Sequence, residues 1–176
     1  MPEMSAVDVV NFLDRIENLG VKVWVVGGWG VDALLGIQTR QHDDLDIVIQ
    51  RKDMEKAREF LEGNGFINVP RPDTSDWNFV MGDGSGREID FHVIVFDSNG
   101  NGLYEVEGKE VIFPPAGSLY DDGVINGHKV SCLIPEFTVK DHIGYHLRNK
   151  DFLDIKLLCE KFRIALPDEY RINGNL

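Results

Sequence analysis

The sequence predicts an α+β (mixed α/β) protein: a mixed sheet backed by helices, followed by a small helical C-terminal part. Three observations predict it. Val7, Val10, Leu13 and Ile16 recur at helical spacing near the start. β-branched and aromatic runs, of which "VKVWVV" (21–26) and "EIDFHVIVF" (88–96) are the strongest, read as strands. After residue 134 the strand pattern stops and helical patterns return.

In order, residues 6–19 read as an amphipathic helix ended by Gly20, and 21–26 as a buried strand that stops at Gly27 and Gly28. "WGVDALLG" (29–36) is a short helix closed by Gly36, and "DLDIVIQ" (44–50) alternates as a strand does. Residues 53–64 begin with Asp53 as an N-cap and form a helix. Strands are expected at 77–81, 88–96, 103–106, 109–113 and 128–133, and helices at about 136–147 and 151–163. Phe152, Ile155, Leu158 and Cys159 mark the buried face of the last helix. Residues 1–133 are thus expected to form a core and 134–176 a helical part packed on it as one compact unit.

A chain of 176 residues can bury a sizeable interior. A net charge of -12 repels phosphate backbones and anionic membranes, which argues against nucleic acid as the main partner. Cys132 and Cys159 lack CxxC spacing and read as buried thiols in a reducing compartment. No apolar run approaches the roughly 20 residues that span a bilayer. "MPEMSAVDVV" lacks the basic and apolar regions of a secretion signal, so a cytoplasmic protein without membrane attachment is expected.

The chemistry concentrates in "GGWGVDALLGIQTRQHDDLDIVI" (27–49). Side chains alternate along a strand, so Asp44 and Asp46 share a face, roughly 6.6 Å apart along the backbone. Two carboxylates so placed repel unless a proton or cation lies between them, and Mg²⁺ suits such hard oxygen ligands. Upstream, the strand-glycine-glycine-helix unit offers bare amides to phosphate oxygens. In 88–96, Ile89, Phe91, Val93 and Val95 form one apolar face, leaving Glu88, Asp90, His92 and Ile94 on the other. A carboxylate at Asp90, mid-strand, needs a partner. Were the two strands adjacent, Asp44, Asp46 and Asp90 would converge on one spot able to hold two Mg²⁺ roughly 3.5 to 4 Å apart.

These residues resemble the nucleotidyltransferase superfamily (DNA polymerase beta-like), in which Gly-Gly or Gly-Ser precedes an Asp-X-Asp pair and a third Asp lies on a nearby strand. The Gly-Gly-Trp form and the His-Asp-Asp-Leu-Asp string are closer still to the small antibiotic nucleotidyltransferases that modify lincosamides or aminoglycosides. The resemblance implies a nucleotidyltransferase-like mixed sheet, with Asp44 and Asp46 as metal ligands. Asp90 would be the third carboxylate, able to bind metal and to take the acceptor's proton. Gly27 and Gly28 would line the triphosphate. Arg40 is either a phosphate contact or a salt-bridge partner of the aspartates. Lys156 resembles a helix lysine that reaches phosphate, or is simply a solvated helix face.

The resemblance implies Mg²⁺-dependent transfer of a nucleoside monophosphate from an NTP, by the family's pattern ATP with two ions, to the hydroxyl of a small molecule such as a lincosamide or aminoglycoside antibiotic, releasing pyrophosphate. "FHVIVF" resembles a segment of the lincosamide enzymes and tips the acceptor toward a lincosamide-like or otherwise small hydroxylated molecule. The acids at 73, 76, 97, 105, 121 and 122 would suit an aminoglycoside, although surplus acid also serves solubility. A compact core leaves a pocket that a second copy of the chain could close, as a homodimer. Transfer to a protein or RNA acceptor, as in toxin-like members, and binding of nucleotide or metal without turnover are the alternatives.

Other features read more plainly. His42 is expected to hydrogen-bond within its turn, whereas His92, on the face of Asp90, is the better candidate for a site contact. "DSNGNGLYE" imitates the opening of a calcium loop, but Gly108 stands where the bidentate glutamate belongs, so a turn is expected. Trp24, Trp29 and Trp77 read as core or near-core residues.

Overall fold

The computed structural model describes residues 4–172. Its first helix, α1 (Ala6–Glu17), is capped by Ser5, whose hydroxyl accepts from the Asp8 amide while Asp8 reaches back to the Ser5 amide. It leads into β1 (Val23–Val25), α2 (Gly27–Leu35) and β2 (Asp44–Gln50). Then follow α3 (Met54–Glu62), β3 (Ile67–Val69), β4 (Asn78–Gly82) and β5 (Glu88–Phe96). The hairpin β6 (Gly102–Val106) and β7 (Lys109–Ile112) precedes β8 (Leu119–Ile125) and β9 (His128–Leu133). Three helices, α4 (Pro135–Asp141), α5 (Asn149–Phe162) and α6 (Asp168–Ile172), close the chain.

The strands form one mixed sheet in the order β3-β4-β5-β2-β1-β9-β8, with β6 and β7 continuing from β5. At its centre β2 runs parallel to β5 and antiparallel to β1. One face carries the main core, where Ile47, Ile89 and Phe91 pack with Ile16, Trp29, Ile155 and Leu158. Helices α1, α2 and α5 therefore share one interior with the sheet. The other face holds a smaller cluster, Trp24, Val26, Val48, Ile94 and Leu133, under Tyr104, Phe113 and Phe137. Along β2 that second face reads Asp44, Asp46, Val48, and along β5 Asp90, His92, Ile94. Each strand thus passes from a polar end to an apolar one, and the polar ends lie side by side.

Several expectations are corrected. Strands β3 and β8 and helix α6 are additions. β8 contains Asp121, Asp122 and Gly123 and is irregular between Tyr120 and Gly123, which masks its alternation. Asp53 makes no side-chain cap, because residues 51–53 form a 3-10 turn that places it in helical backbone. Helix α4 stops at Asp141, six residues short of expectation, and Gly144 follows with φ +92. Val95 continues the apolar face but is 40% exposed, so the buried stretch of that face ends at Val93. Trp24 and Trp29 are buried, and both cysteines are free and buried. Asp97 accepts hydrogen bonds from the Asn99 and Asn101 amides, closing the turn between β5 and β6.

Candidate active site

Gly27 ends the β1 run with φ +57, a left-handed conformation that glycine adopts without steric cost. The two glycines form the first turn of α2 rather than a separate loop before it. A Cβ at Gly27 would overlap the Asp46 carboxylate, so glycine is what lets Asp46 lie against the turn. A Cβ at Gly28 would overlap the Arg40 guanidinium and sit 2.6 Å from Nδ1 of His42. The first amides of α2 lack helical partners and carry the positive end of its dipole.

Register does the next step. In the parallel ladder of β2 and β5, Asp44 stands opposite Glu88 and Asp46 opposite Asp90. One ligand atom each from Asp46, Asp90 and His92 lie within 4.8 Å of one another. Asp44 is outside that group but lines the same cleft as Asp46 and His92. Oδ1 of Asp90 is buried and has no hydrogen-bond partner. Burial pushes the Asp46 carboxyl up to about 8, with Asp44 and Asp90 adding repulsion and Lys150 and Arg148 opposing it. Burial likewise raises Asp90 and lowers His92. These residues fit a divalent cation: oxygen donors and an imidazole converge, and one acceptor is left unsatisfied.

The cleft has a volume of about 640 Å³. Besides the acids it is lined by Gly27 and Gly28, by the cations Arg40, Arg148 and Lys150, and by a strip from the β6–β7 hairpin that includes Val106, Val111, Ile112 and Phe113. Arg40 pairs with Asp154 of α5, Nη2 lying 2.8 Å and Nε 3.2 Å from its oxygens. The reading of Arg40 as a partner of the strand aspartates is therefore corrected: its carboxylate comes from the C-terminal helix. Lys156 is exposed on α5 and does not line the cleft. At about 100° per residue it points some 200° away from Asp154. Lys150, in the first turn of the same helix, lines the cleft.

Sequence reasoning missed Asp32, Asp154, Arg148 and Lys150. Asp32 and His42 are each 2% exposed, with Oδ2 of Asp32 2.5 Å from Nε2 of His42. Oδ1 of Asp32 accepts from the amide and hydroxyl of Thr39. The His42 ring lies against Trp29, centroids 4.4 Å apart. His42 thus hydrogen-bonds across to α2 rather than within its own turn, and residues 39–42 are tied to α2 at Asp32 and to α5 at Asp154. The available signal was a lone acid inside the apolar stretch "GGWGVDALL". Cys132 is no nucleophile candidate, since burial pushes its thiol up to about 12.

Residues 8–158 match the aminoglycoside-2''-adenylyltransferase family. The chain belongs to that family. It is 30% identical to a lincosamide resistance protein of Staphylococcus haemolyticus over 156 residues, 86% of this chain and 92% of the relative. It is 29% identical to a 2''-aminoglycoside nucleotidyltransferase of Escherichia coli over 140 residues, 77% and 71% of the two chains. Among solved structures, the lincomycin-bound lincosamide adenylyltransferase LnuA superposes with a TM-score of 0.79 at 27% identity, covering 93% of this chain and all of that one. ANT(2'')-Ia in complex with adenylyl-2''-tobramycin shares the fold, with a TM-score of 0.71 at 21% identity over 96% and 98% of the chains. The adenylyltransferase family member described here is accordingly a nucleotidyltransferase with an α+β fold, as the motif resemblance implied.

Proposed function

We propose that the protein transfers the nucleoside monophosphate of ATP to a hydroxyl of a small antibiotic acceptor of the lincosamide type, in a Mg²⁺-dependent reaction that releases pyrophosphate. The observation that carries this reading is the in-register pairing of Asp46 with Asp90 beside a cleft that also holds three cations. Asp44, Asp46 and Asp90 would hold the metal, which when bound supplies charge stabilisation at the phosphoryl oxygens. Arg40, Arg148 and Lys150 hold phosphate charge, and the Gly27–Gly28 amides lie close enough to a phosphate because no side chain intervenes. Asp90, whose carboxyl is raised, takes the proton of the acceptor hydroxyl as its oxygen bonds to the α-phosphorus and the bond to pyrophosphate breaks. In-line geometry and preformed charge account for the rate, with no covalent enzyme intermediate.

The acceptor class is argued from the hairpin. Tyr104, Val106, Val111, Ile112 and Phe113 give the cleft an apolar wall, which suits a molecule with an alkyl portion better than a polycation. Val111 and Ile112 are exposed at the rim of the cleft, on a strand that among the described residues pairs with β6 alone, which supports a homodimer in which a second copy closes the cleft over the acceptor. A cytoplasmic setting accords with ATP as co-substrate and with two buried free thiols.

The test is pyrophosphate release with Mg²⁺ and each NTP, against a panel of lincosamides and aminoglycosides. Release that requires ATP and a lincosamide, and drops by about a thousandfold in Asp90→Asn, is expected. Nucleotide binding without release across the panel would sink the assignment of a drug acceptor.

A further inference from the structure

Three carboxylates were expected to form the metal site, but the group that converges is Asp46, Asp90 and His92. Asp90 and His92 are two apart on β5 and so share a face, while the ladder sets Asp46 directly beside Asp90. The His92 ring is held from the other side. Its Nδ1 is 3.4 Å from the Tyr104 hydroxyl, and its plane meets Tyr104 and Phe113 edge-on, at centroid distances of 6.0 and 6.3 Å. A hydrogen-bonded, packed imidazole is already oriented before ligation, as ligating histidines generally are. Oδ1 of Asp90, buried and without a partner, is the independent sign that something absent from the chain itself belongs here. Simple packing accounts for the ring's aromatic neighbours but not for a ring nitrogen set against two acids.

We propose that His92 ligates a divalent cation together with Asp46 and Asp90, so that this site prefers a first-row transition ion of the Mn²⁺ class to Mg²⁺. The inference rests on the proposed function only in taking the acidic centre as a cation site. Imidazole is a borderline donor that binds transition ions well, whereas Mg²⁺ favours oxygen and gives up its waters reluctantly. A wholly carboxylate site offers no such discrimination through nitrogen. Asp44, outside the converging group, stays available to a second ion through Asp46.

The experiment is a Mn²⁺ titration of the full chain followed by electron paramagnetic resonance, with Mg²⁺ measured by competition. His92→Phe, which keeps a ring against Tyr104 and Phe113, is the matching variant. The wild-type chain is expected to bind Mn²⁺ at least about tenfold more tightly than Mg²⁺. In the variant Mn²⁺ affinity is expected to fall about tenfold or more, with Mg²⁺ affinity nearly unchanged. Pulsed resonance on the wild-type chain gives a readout that needs no variant: ¹⁴N modulation from a directly bound imidazole is expected. Bound Mn²⁺ without nitrogen modulation, or an unaltered Mn²⁺ to Mg²⁺ ratio in folded His92→Phe, would overturn the role of His92 and leave the metal-dependent reaction standing. Failure of the wild-type chain to bind either ion would overturn both.

Discussion

The two walls of the cleft hold their charges by different means. On β2 and β5 the acids ride on strands whose other face is core, and Leu45, Ile47, Ile89 and Phe91 are fully buried there. Burial on that closed ladder, with repulsion from Asp44 and Asp90 added, pushes the Asp46 carboxyl up to about 8. On α5 the acids are paired with cations. Asp151 accepts from the Arg148 amide at 2.7 Å, and Asp154 takes the Arg40 guanidinium. A bound cation is therefore needed at the strand wall, where Asp46 otherwise keeps a proton, while the acids of the helical wall are paired with Arg148 and Arg40 and the helix presents Arg148 and Lys150 to the cleft.

The comparison breaks most completely at Gly28, where the walls meet. Both groups that a methyl would strike are tethered, Arg40 by Asp154 and His42 by Asp32. Gly28→Ala is expected to lower kcat/KM about a hundredfold, with a circular dichroism spectrum like that of the parent. Full activity in the steady-state assay would mean that the tethers yield.

Asp154→Asn tests the pairing of the helical wall with Arg40. Asp154 is almost fully buried and Arg40 is 17% exposed at its side chain, so loss of the pair is expected to cost about 2 kcal/mol of stability. Urea unfolding measures this, and a parallel rise in the KM for ATP would show that Arg40 has moved.

The strand wall makes the opposite prediction with pH. Unfolded, Asp46 titrates near 3.8, and folded near about 8, so across that window the metal-free native state holds a proton that the unfolded chain has lost. Stability should therefore fall as pH rises from about 4 to about 8, because the unfolded state binds fewer protons. Thermal melts in a chelator are expected to drop by a few degrees over this range, and the slope should flatten in Asp46→Asn. An equally steep slope in that variant would assign it to other groups.

The smallest effect separates two lysines of α5. Lys150→Ala is expected to raise the KM for ATP several-fold, about 1 kcal/mol of phosphate contact, while Lys156→Ala leaves it unchanged. A reversal in steady-state kinetics would restore the expectation drawn from sequence.

Much of the site was legible because its logic is local. The facing of Asp44 and Asp46 follows from strand alternation, and the need for small residues at Gly27 and Gly28 from a run that stops at a turn. What was illegible came from long-range pairing or helix phase. Arg40 finds Asp154 more than a hundred residues away, and Lys150 rather than Lys156 lines the cleft because α5 begins at Asn149 and presents that side to it. β8 was hidden by its own acids and bulge.

By itself, then, the sequence determined the central elements α1, β1, α2, β2 and β5, the residue types at their polar ends and most of the apolar faces that would be buried, since each depends on the chain's local periodicity. Tertiary structure alone decided that β2 and β5 are neighbours in a register that sets Asp46 against Asp90, and that His92 rather than Asp44 completes the converging group. The physical reason is that adjacency and register arise from the burial of Ile47, Ile89, Phe91 and their partners in one shared core, a property of the whole assembled sheet that no single segment encodes.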